Sequence, residues 1–104
     1  MRRRRLKQRL LMDIAKELNR VGVPFVRTDY ASMQQGSPSF LVFRSPANHP
    51  EARGVAIAIK HPRKKESKCQ GQWWNLVNAW GLRLAIVFDE EDFSECMERW
   101  GFVE

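Results

Sequence analysis

A short apolar strand, a basic turn and a helix follow one another over residues 54–81, and this run constrains the fold more than any other part of the chain. Residues 54–60 read Gly-Val-Ala-Ile-Ala-Ile-Lys, which is typical of a buried strand. The turn at 61–68 holds a proline and several cations, and the next helix passes through Gln72 and ends at Gly81. A strand that leads through a turn into a helix predicts an α/β domain.

The two faces of that strand differ in the size of their side chains. Alternation places three branched residues on one face, namely Val55, Ile57 and Ile59. The opposite face carries Ala56, Ala58 and Lys60. Small residues beside a lysine indicate a face that is closely approached, either by a bound ligand or by a helix that packs over the sheet.

The other elements follow from hydrophobic periodicity and from glycine and proline stops. We predict a helix at 1–21, strands at 25–28, 40–43 and 82–88, and a last helix that starts in the acidic run 89–92 and ends at Gly101. The predicted order is α-β-β-β-α-β-α, in a single domain of residues 1–104. Residues 1–9 are rich in arginine, which opposes the helix dipole at this end, so a flexible basic arm is the alternative there.

Each predicted helix carries an apolar stripe that we expect to face the core. In the first helix the stripe consists of Leu6, Leu10, Leu11, Ile14 and Leu18. In the second it consists of Trp73, Leu76, Val77 and Trp80, and Trp74 lies off the stripe. In the third it consists of Phe93, Cys96, Met97 and Trp100.

The chain is strongly basic, with a formal net charge of +6 and a pI near 9.9. This balance favours a polyanionic partner, nucleic acid first, although surface cations also serve solubility. Cys69 and Cys96 lie far apart without metal-ligand spacing, which indicates reduced thiols and favours the cytoplasm. The sequence shows no apolar run that would serve as a membrane span or a secretory signal, so we expect no membrane partner.

Short motifs occur in a fixed order on these elements. The turn Gly36-Ser37-Pro38-Ser39 leads into the strand at 40–43, and the next strand ends in Ala58-Ile59-Lys60. Gln72 then lies on the following helix. The ordered set resembles the PD-(D/E)XK nuclease superfamily, and within it the small virus-type replication-repair (VRR-NUC) nucleases. The resemblance covers roughly residues 17–88 and implies a mixed central sheet flanked by helices.

The resemblance also implies roles for individual residues. Ser39 stands where the family has a metal-binding Asp, and Ala58 stands where it has the Glu of Glu-x-Lys. Lys60 and Gln72 match the conserved Lys and Gln of the family motifs. Glu17 is a candidate for the further Glu that such nucleases often carry on the first helix, and its alternative is a solvated helix face.

Ser39 and Ala58 depart from the family pattern, and they remove the two carboxylates that metal-dependent phosphodiester cleavage requires. A divalent ion holds a phosphate oxygen and activates water, and magnesium usually relies on one or two protein carboxylates. Ser39 is a weak neutral ligand and Ala58 offers none. We therefore expect no metal ligands and no cofactor in this chain, and Mg or Mn only if the site is rearranged.

Other carboxylates and the two histidines are weaker candidates for the missing groups. The carboxylates are Asp29, Glu66, Asp89 and Glu90. Asp29 suits a turn, and the last two suit the start of a helix. His49 and His61 lie in loops beside proline, where a general base and a solvated side chain are both compatible with the sequence.

Basic side chains are the candidates for contact with nucleic acid. The turn contributes Lys60, Arg63, Lys64, Lys65 and Lys68, and the first helix contributes Arg2, Arg3, Arg4 and Arg5. Trp74 and Tyr30 are candidates for stacking on exposed bases or for packing in a dimer. The alternatives are a solvated charged loop and a tryptophan that is partly buried at a helix edge.

These observations favour a nuclease-like domain that has lost catalysis and binds nucleic acid, DNA in preference to RNA. The first alternative is an active Mg- or Mn-dependent endonuclease whose site is rearranged, or was inactivated by engineering at Ala58. The second is an inhibitor or protein-interaction module of the kind that phages carry. The resemblance further implies a homodimer, and a bacterial or phage-infected cell as the setting.

Overall fold

The computed structural model of the protein describes residues 2–28, 38–59 and 68–102, with side chains described at 8–28, 38–59 and 73–102. The elements are α1 (Arg2–Arg20), β1 (Phe25–Arg27), β2 (Phe40–Val42), β3 (Gly54–Ile59), α2 (Lys68–Ala79), β4 (Leu82–Val87) and α3 (Glu90–Trp100). The predicted order is confirmed, and the backbone of residues 2–9 continues α1. Within these ranges, no helix combines the length and the apolar character that a membrane span requires.

The four strands form one mixed sheet in the order β1-β2-β3-β4. β1 pairs antiparallel with β2, and β2 pairs antiparallel with β3. β3 and β4 run parallel, from Gly54 opposite Leu82 to Ile59 opposite Val87. A parallel pair needs a long crossover connection, and α2 lies within it. The protein is therefore a mixed α/β domain, as the sequence predicts.

The two faces of the sheet are covered unequally. α1 and α3 pack on one face, and their stripes join Val55 and Ile57 of β3 in a large core. The other face is covered by α2, where Ala56, Val77 and Leu82 form a smaller core. The alternation predicted for β3 is thus confirmed, because its branched residues face the thick layer and Ala56 faces α2. This small-residue face lets α2 pack close to the sheet.

The apolar stripes of α1 and α3 match the prediction, whereas the stripe of α2 does not. The buried stripe residues of α1 and α3 are Leu10, Leu11, Ile14, Leu18, Phe93, Cys96, Met97 and Trp100. In α2 Val77 is buried, but Leu76 and Trp80 are 45 % and 59 % exposed. Their predicted core positions are therefore wrong. The small core under α2 receives only a narrow stripe, which runs through Val77 beside the half-buried Trp74.

Short-range interactions determine both ends of α3. Asp89 is the N-cap and accepts the backbone N–H of Asp92, whose carboxylate accepts the N–H of Phe88 at 3.0 Å. At the other end Gly101 has a φ of 73°, in the left-handed region. The N–H groups of Gly101 and Phe102 then bond to the carbonyls of Glu98 and Met97. The start in the acidic run and the stop at Gly101 are confirmed.

Candidate functional site

Ser39 lies immediately before β2 and beside the end of β3 that carries Ala58. Phe40 is the register partner of Ile57, and the backbone N–H of Ser39 donates to the carbonyl oxygen of Ile57 at 2.8 Å. Since Ala58 follows Ile57, the backbone of Ser39 lies next to that of Ala58. Both residues are 6 % exposed. The structure therefore brings together two of the predicted site residues that are about 20 positions apart in the sequence.

The hydrogen bond from Ser39 interrupts the regular pairing of β2 with β3. Regular register would place Ser39 opposite Ala58, yet its N–H bonds to Ile57, so both Ser39 and Phe40 oppose Ile57. Two residues against one is the arrangement of a β-bulge, and the chain bends at Ser39. Bulges re-aim side chains and are over-represented next to active sites. This corner is the candidate functional site of the protein.

Thr28 ties the end of the Gly-x-Pro turn to the sheet. Its backbone N–H donates to the carbonyl oxygen of Ser39 at 2.8 Å, and its hydroxyl donates to the carbonyl of Pro38. In the described part of the chain, Thr28 and Ser39 are the buried polar residues. Burial of a hydroxyl is costly unless it is hydrogen-bonded, so the bonds of Thr28 hold Pro38 and Ser39 against β1. We call Thr28, Pro38, Ser39 and Ala58 together the Ser39 corner.

Thr28 is the member of the Ser39 corner that sequence reasoning missed. The strand prediction included it as the last residue of 25–28, without a role of its own. A threonine at a strand end, where its hydroxyl can bond a nearby carbonyl, was the available signal. That signal is weak because the partner, Pro38, is ten residues away and becomes a neighbour only when β1 and β2 pair.

α2 begins over the end of the sheet where the Ser39 corner lies. The backbone N–H of Arg53, before β3, donates to the carbonyl of Gly81, after α2, at 2.8 Å. The C-terminal end of α2 is therefore at the start of β3, and its N-terminal end lies toward Ile59. Gln72 belongs to the N-terminal half of α2, and its side chain lies outside the described residues, as does Lys60. Of the predicted site, the structure thus describes Ser39 and Ala58 with their side chains.

Glu17 is not brought to the Ser39 corner. It lies in a groove between α1 and α3, with Asp13 and Glu90, on the face of the sheet opposite α2. The Arg20 side chain donates to Glu17, with 3.1 Å between Nε and Oε1, and this hydrogen bond lowers the pKa of the Glu17 carboxyl. The ion pair is partly solvated, as the alternative of a solvated helix face predicts. Glu17 therefore has a local partner on its own helix.

Most of the predicted nucleic-acid contacts fall where side chains are not described. Those residues are Arg2, Arg3, Arg4, Arg5, Lys60, Arg63, Lys64, Lys65 and Lys68, and Asp29, Tyr30, His61 and Glu66 also lie outside the described residues. Trp74 is described and is half-buried. Its indole Nε1 is buried without a hydrogen-bond partner, beside Val77 and Leu84. Trp74 therefore matches the alternative of partial burial at a helix edge.

The remaining acid–base candidates have local partners. Asp89 caps α3, and the hydrogen bond and charge of Asp13 raise the pKa of the Glu90 carboxyl. His49 Nδ1 lies 3.4 Å from a carboxylate oxygen of Glu51. Within the residues that the structure describes, no three His, Cys, Asp or Glu side chains form a group that could hold a metal ion. Cys96 is buried and unpaired, and burial raises the pKa of its thiol.

The described site is thus a bulged strand end with two small, neutral, buried side chains, next to the start of a helix. Ser39 and Ala58 are both neutral and buried, and the chain continues from Ile59 directly into the basic segment of residues 60–68. Comparison with protein-family models, with curated proteins and with solved structures finds no match to this chain.

Proposed function

We propose that the protein is a catalytically degenerate nuclease-like domain that binds nucleic acid, DNA in preference to RNA, through a basic face beside the Ser39 corner. The observation that carries the proposal is the contact between Ser39 and Ile57, which makes Ser39 a neighbour of Ala58. In the PD-(D/E)XK resemblance the matching positions hold the two metal-binding carboxylates. The closeness of the two positions supports a nuclease-like arrangement, and their neutral side chains support a loss of cleavage.

The chemistry of the corner supports binding without metal catalysis. A serine hydroxyl and an alanine methyl supply no negative charge, whereas magnesium usually relies on one or two protein carboxylates. Lys60, two residues beyond Ala58 in the sequence, would then have no balancing anion from these positions. A cation of this kind attracts a phosphate group more readily than a metal ion.

The charge distribution supports nucleic acid as the partner. The net charge is +6, and the cations of residues 60–68 follow β3 in the chain, with Lys68 as the first residue of α2. This segment leaves β3 at the end of the sheet that holds the Ser39 corner. Lysine and arginine there would neutralise backbone phosphates, which provide most of the sequence-independent affinity for DNA. We also propose that the protein works in a reducing cytoplasm, because Cys69 and Cys96 lie far apart without metal-ligand spacing.

Binding is tested by fluorescence anisotropy with labelled duplex and branched DNA between 50 and 200 mM salt, a range of about fourfold. If about five cations contact phosphates, the slope of log K against log salt should be about −4 to −5. Replacing Lys64 and Lys65 with Gln should reduce the slope by about 2. The control is Lys16→Gln and Arg20→Gln on α1, which removes the same charge from another part of the molecule. Equal losses in the two variants would contradict a localised basic face.

Loss of catalysis is tested by restoring both carboxylates in the variant Ser39→Asp/Ala58→Glu. We expect the restored variant to bind Mn²⁺ measurably by calorimetry and the natural chain not to, because two carboxylates meet the usual requirement for a divalent ion. The matched control, Ser39→Asn/Ala58→Gln, has nearly the same side-chain volumes without charge and should not gain metal binding. Chelator-sensitive DNA cleavage by the natural chain would instead support an active nuclease with a rearranged site.

A protein-interaction module would give a different result from a nucleic-acid-binding domain in the DNA-binding measurement. That function predicts weak DNA affinity at ~150 mM salt, where phosphate contacts are well screened, together with retention of a protein partner. DNA affinity that persists at this salt concentration, and that falls when Lys64 and Lys65 are replaced, would decide for nucleic acid.

A further inference from the structure

A cavity of about 260 Å³ lies at the start of β4, where the C-terminal turn of α3 meets the loop before β3. Arg83 contributes from β4, Arg99 from α3, and Asn48 and His49 from the loop. The loop is held there by the backbone N–H of Ala47, which donates to the carbonyl of Trp100 at 2.8 Å. Three separate parts of the chain therefore supply polar side chains to one concave site.

The polar lining of this cavity is cationic. Arg83 and Arg99 line it with His49, and no Asp or Glu is among the lining residues. Carboxylates lie outside the lining: Glu51 contacts His49 at 3.4 Å, and the charges of Asp92 and Glu95 act on Cys96 from α3. Within the described residues, neither arginine forms an ion pair with a carboxylate. Two guanidinium groups that share a cavity repel each other unless an anion lies between them.

Arg99 has a weak acceptor as its protein partner. Its Nη2 donates to the sulfur of Cys96 at 3.3 Å, and a thiol sulfur is a poor hydrogen-bond acceptor. A guanidinium carries five N–H donors in a planar fork that matches the oxygens of a phosphate or carboxylate. An oxyanion in the cavity would therefore give Arg99 a much better partner than the thiol does.

The apolar part of the lining favours an anion. Val55, Ala85 and Trp100 line the cavity with apolar surface, which strengthens charge–charge attraction. The end of α3 carries partial negative charge, but the carbonyls of Met97, Glu98 and Trp100 are already bonded to the N–H groups of Phe102, Gly101 and Ala47. Two full positive charges outweigh what remains of the dipole.

We propose that this cavity is a phosphate-binding site, in which Arg83 and Arg99 hold the oxygens of a phosphate group and Asn48 and His49 bound it on the loop side. The cavity is slightly smaller than the ~300–1,000 Å³ of drug-sized ligand sites, which suits a phosphate group with little attached to it. The ligand is a phosphate ester, either of a free mononucleotide or of a nucleic-acid backbone.

This site is separate from the Ser39 corner, and it does not depend on the proposed function. Arg83 is at the start of β4, whereas Ala58 and Ile59 are opposite Ile86 and Val87 near the end of that strand. Arg83 also alternates with Ala85 and Val87, which pack into the large core on the α1 and α3 face. The two arginines therefore lie away from the Ser39 corner along the strands, although the cavity lining extends along β4 to Ile86, the register partner of Ala58.

The probe for the test is inorganic phosphate, titrated into ¹⁵N-labelled protein with chloride replaced to keep the ionic strength constant. We expect saturable shifts in the amide signals of Arg83 to Ala85 and Cys96 to Trp100, with a dissociation constant of about 1 mM. Arg83→Gln and Arg99→Gln should each weaken binding about tenfold, because each removes a charged hydrogen-bond donor. The matched control is Arg53→Gln, which lines a different cavity beside Trp80 and Gly81 and should change the affinity less than about twofold.

Shifts that stay linear in phosphate concentration, or an equal loss in the Arg53→Gln variant, would overturn the proposal. Arg99→Lys is the second variant if either Gln variant loses its native spectrum, since it retains the charge and should weaken binding by less than Arg99→Gln does. Two competition experiments distinguish a free mononucleotide from a nucleic-acid backbone as the source of the phosphate. A nucleoside 5′-monophosphate that displaces phosphate identifies a small ligand, and a single-stranded oligonucleotide without terminal phosphates that does so identifies a backbone phosphate. Displacement by neither would count against a phosphate-ester ligand.

Discussion

Gly54 shows how a single residue controls the packing of the central strands. It begins β3, and a Cβ at this position would overlap the backbone carbonyl oxygen of Val42 on β2. The side chain of Leu82 on β4 would lie 3.2 Å away on the other side. Since backbone atoms of two paired strands cannot shift easily, the position accepts only glycine.

We expect Gly54→Ala to lower the free energy of unfolding by about 3 kcal/mol, because one of the two strands must move to remove the overlap. Gly22→Ala is the control, since Gly22 has a φ of 74° but no atom within 4 Å of an added Cβ. Its cost should be about 1 kcal/mol, from backbone conformation alone. Urea denaturation followed by tryptophan fluorescence measures both values, and similar costs at the two positions would contradict the close approach of β2 to β3.

At the scale of the element, α2 is the helix whose packing the sequence pattern misassigned. Trp73, Leu76, Val77 and Trp80 have helical spacing, yet Leu76 and Trp80 are exposed. Spacing alone identifies residues that share a side of a helix, and it does not show how wide a surface is available to cover them. Under α2 that surface is the small core of Ala56, Val77 and Leu82.

We expect Val77→Thr to lower the free energy of unfolding by about 2 kcal/mol, because a hydroxyl would be buried at a site with apolar neighbours. Leu76→Gln and Trp80→Gln should each cost less than about 1 kcal/mol, since both side chains are largely in solvent. Thermal unfolding by circular dichroism ranks the three variants. A larger cost for Trp80→Gln than for Val77→Thr would mean that the packed face of α2 includes Trp80.

At the scale of the whole molecule, the large core joins α1, α3 and the sheet into one unit. It contains residues from α1, α3 and the strands β2, β3 and β4, and Phe25 of β1 packs against it, whereas α2 contributes to the smaller core. Ile14, Ile57, Val87 and Phe102 are almost completely buried in it. A core that is shared in this way predicts that α3 separates from the sheet only when the domain unfolds.

Cys96 reports on this cooperativity because its thiol is buried in the large core and burial raises its pKa. In a Cys69→Ser background, we expect alkylation of Cys96 to be slowed by about 10³-fold or more relative to the urea-unfolded chain, as for a domain of ordinary stability. The free energy of opening at Cys96, calculated from the labelling rate, should equal the free energy of global unfolding measured by urea denaturation. Rapid labelling of the native protein would show instead that the thiol is reached without global unfolding, by local opening of α3 or through the cavity that Cys96 lines.

Local patterns in the sequence were sufficient to predict the elements and their order, because glycine and proline stops, helix caps and hydrophobic periodicity act over a few residues. The start of α3 at Asp89 and its end at Gly101 are examples, and so is the alternation of β3. The motif Gly36-Ser37-Pro38-Ser39 and the position of Ala58 likewise come from the sequence alone.

Strand pairing and helix docking decided the rest. Ser39 lies beside Ala58 because β2 reverses against β3, and the bulge at Ser39 follows from a one-residue offset in that pairing. Arg83, Arg99 and His49 meet because α3 runs back along β4 to the loop. Such contacts join residues that are far apart in the chain, and their energies depend on the shape of the assembled core, which local spacing does not encode.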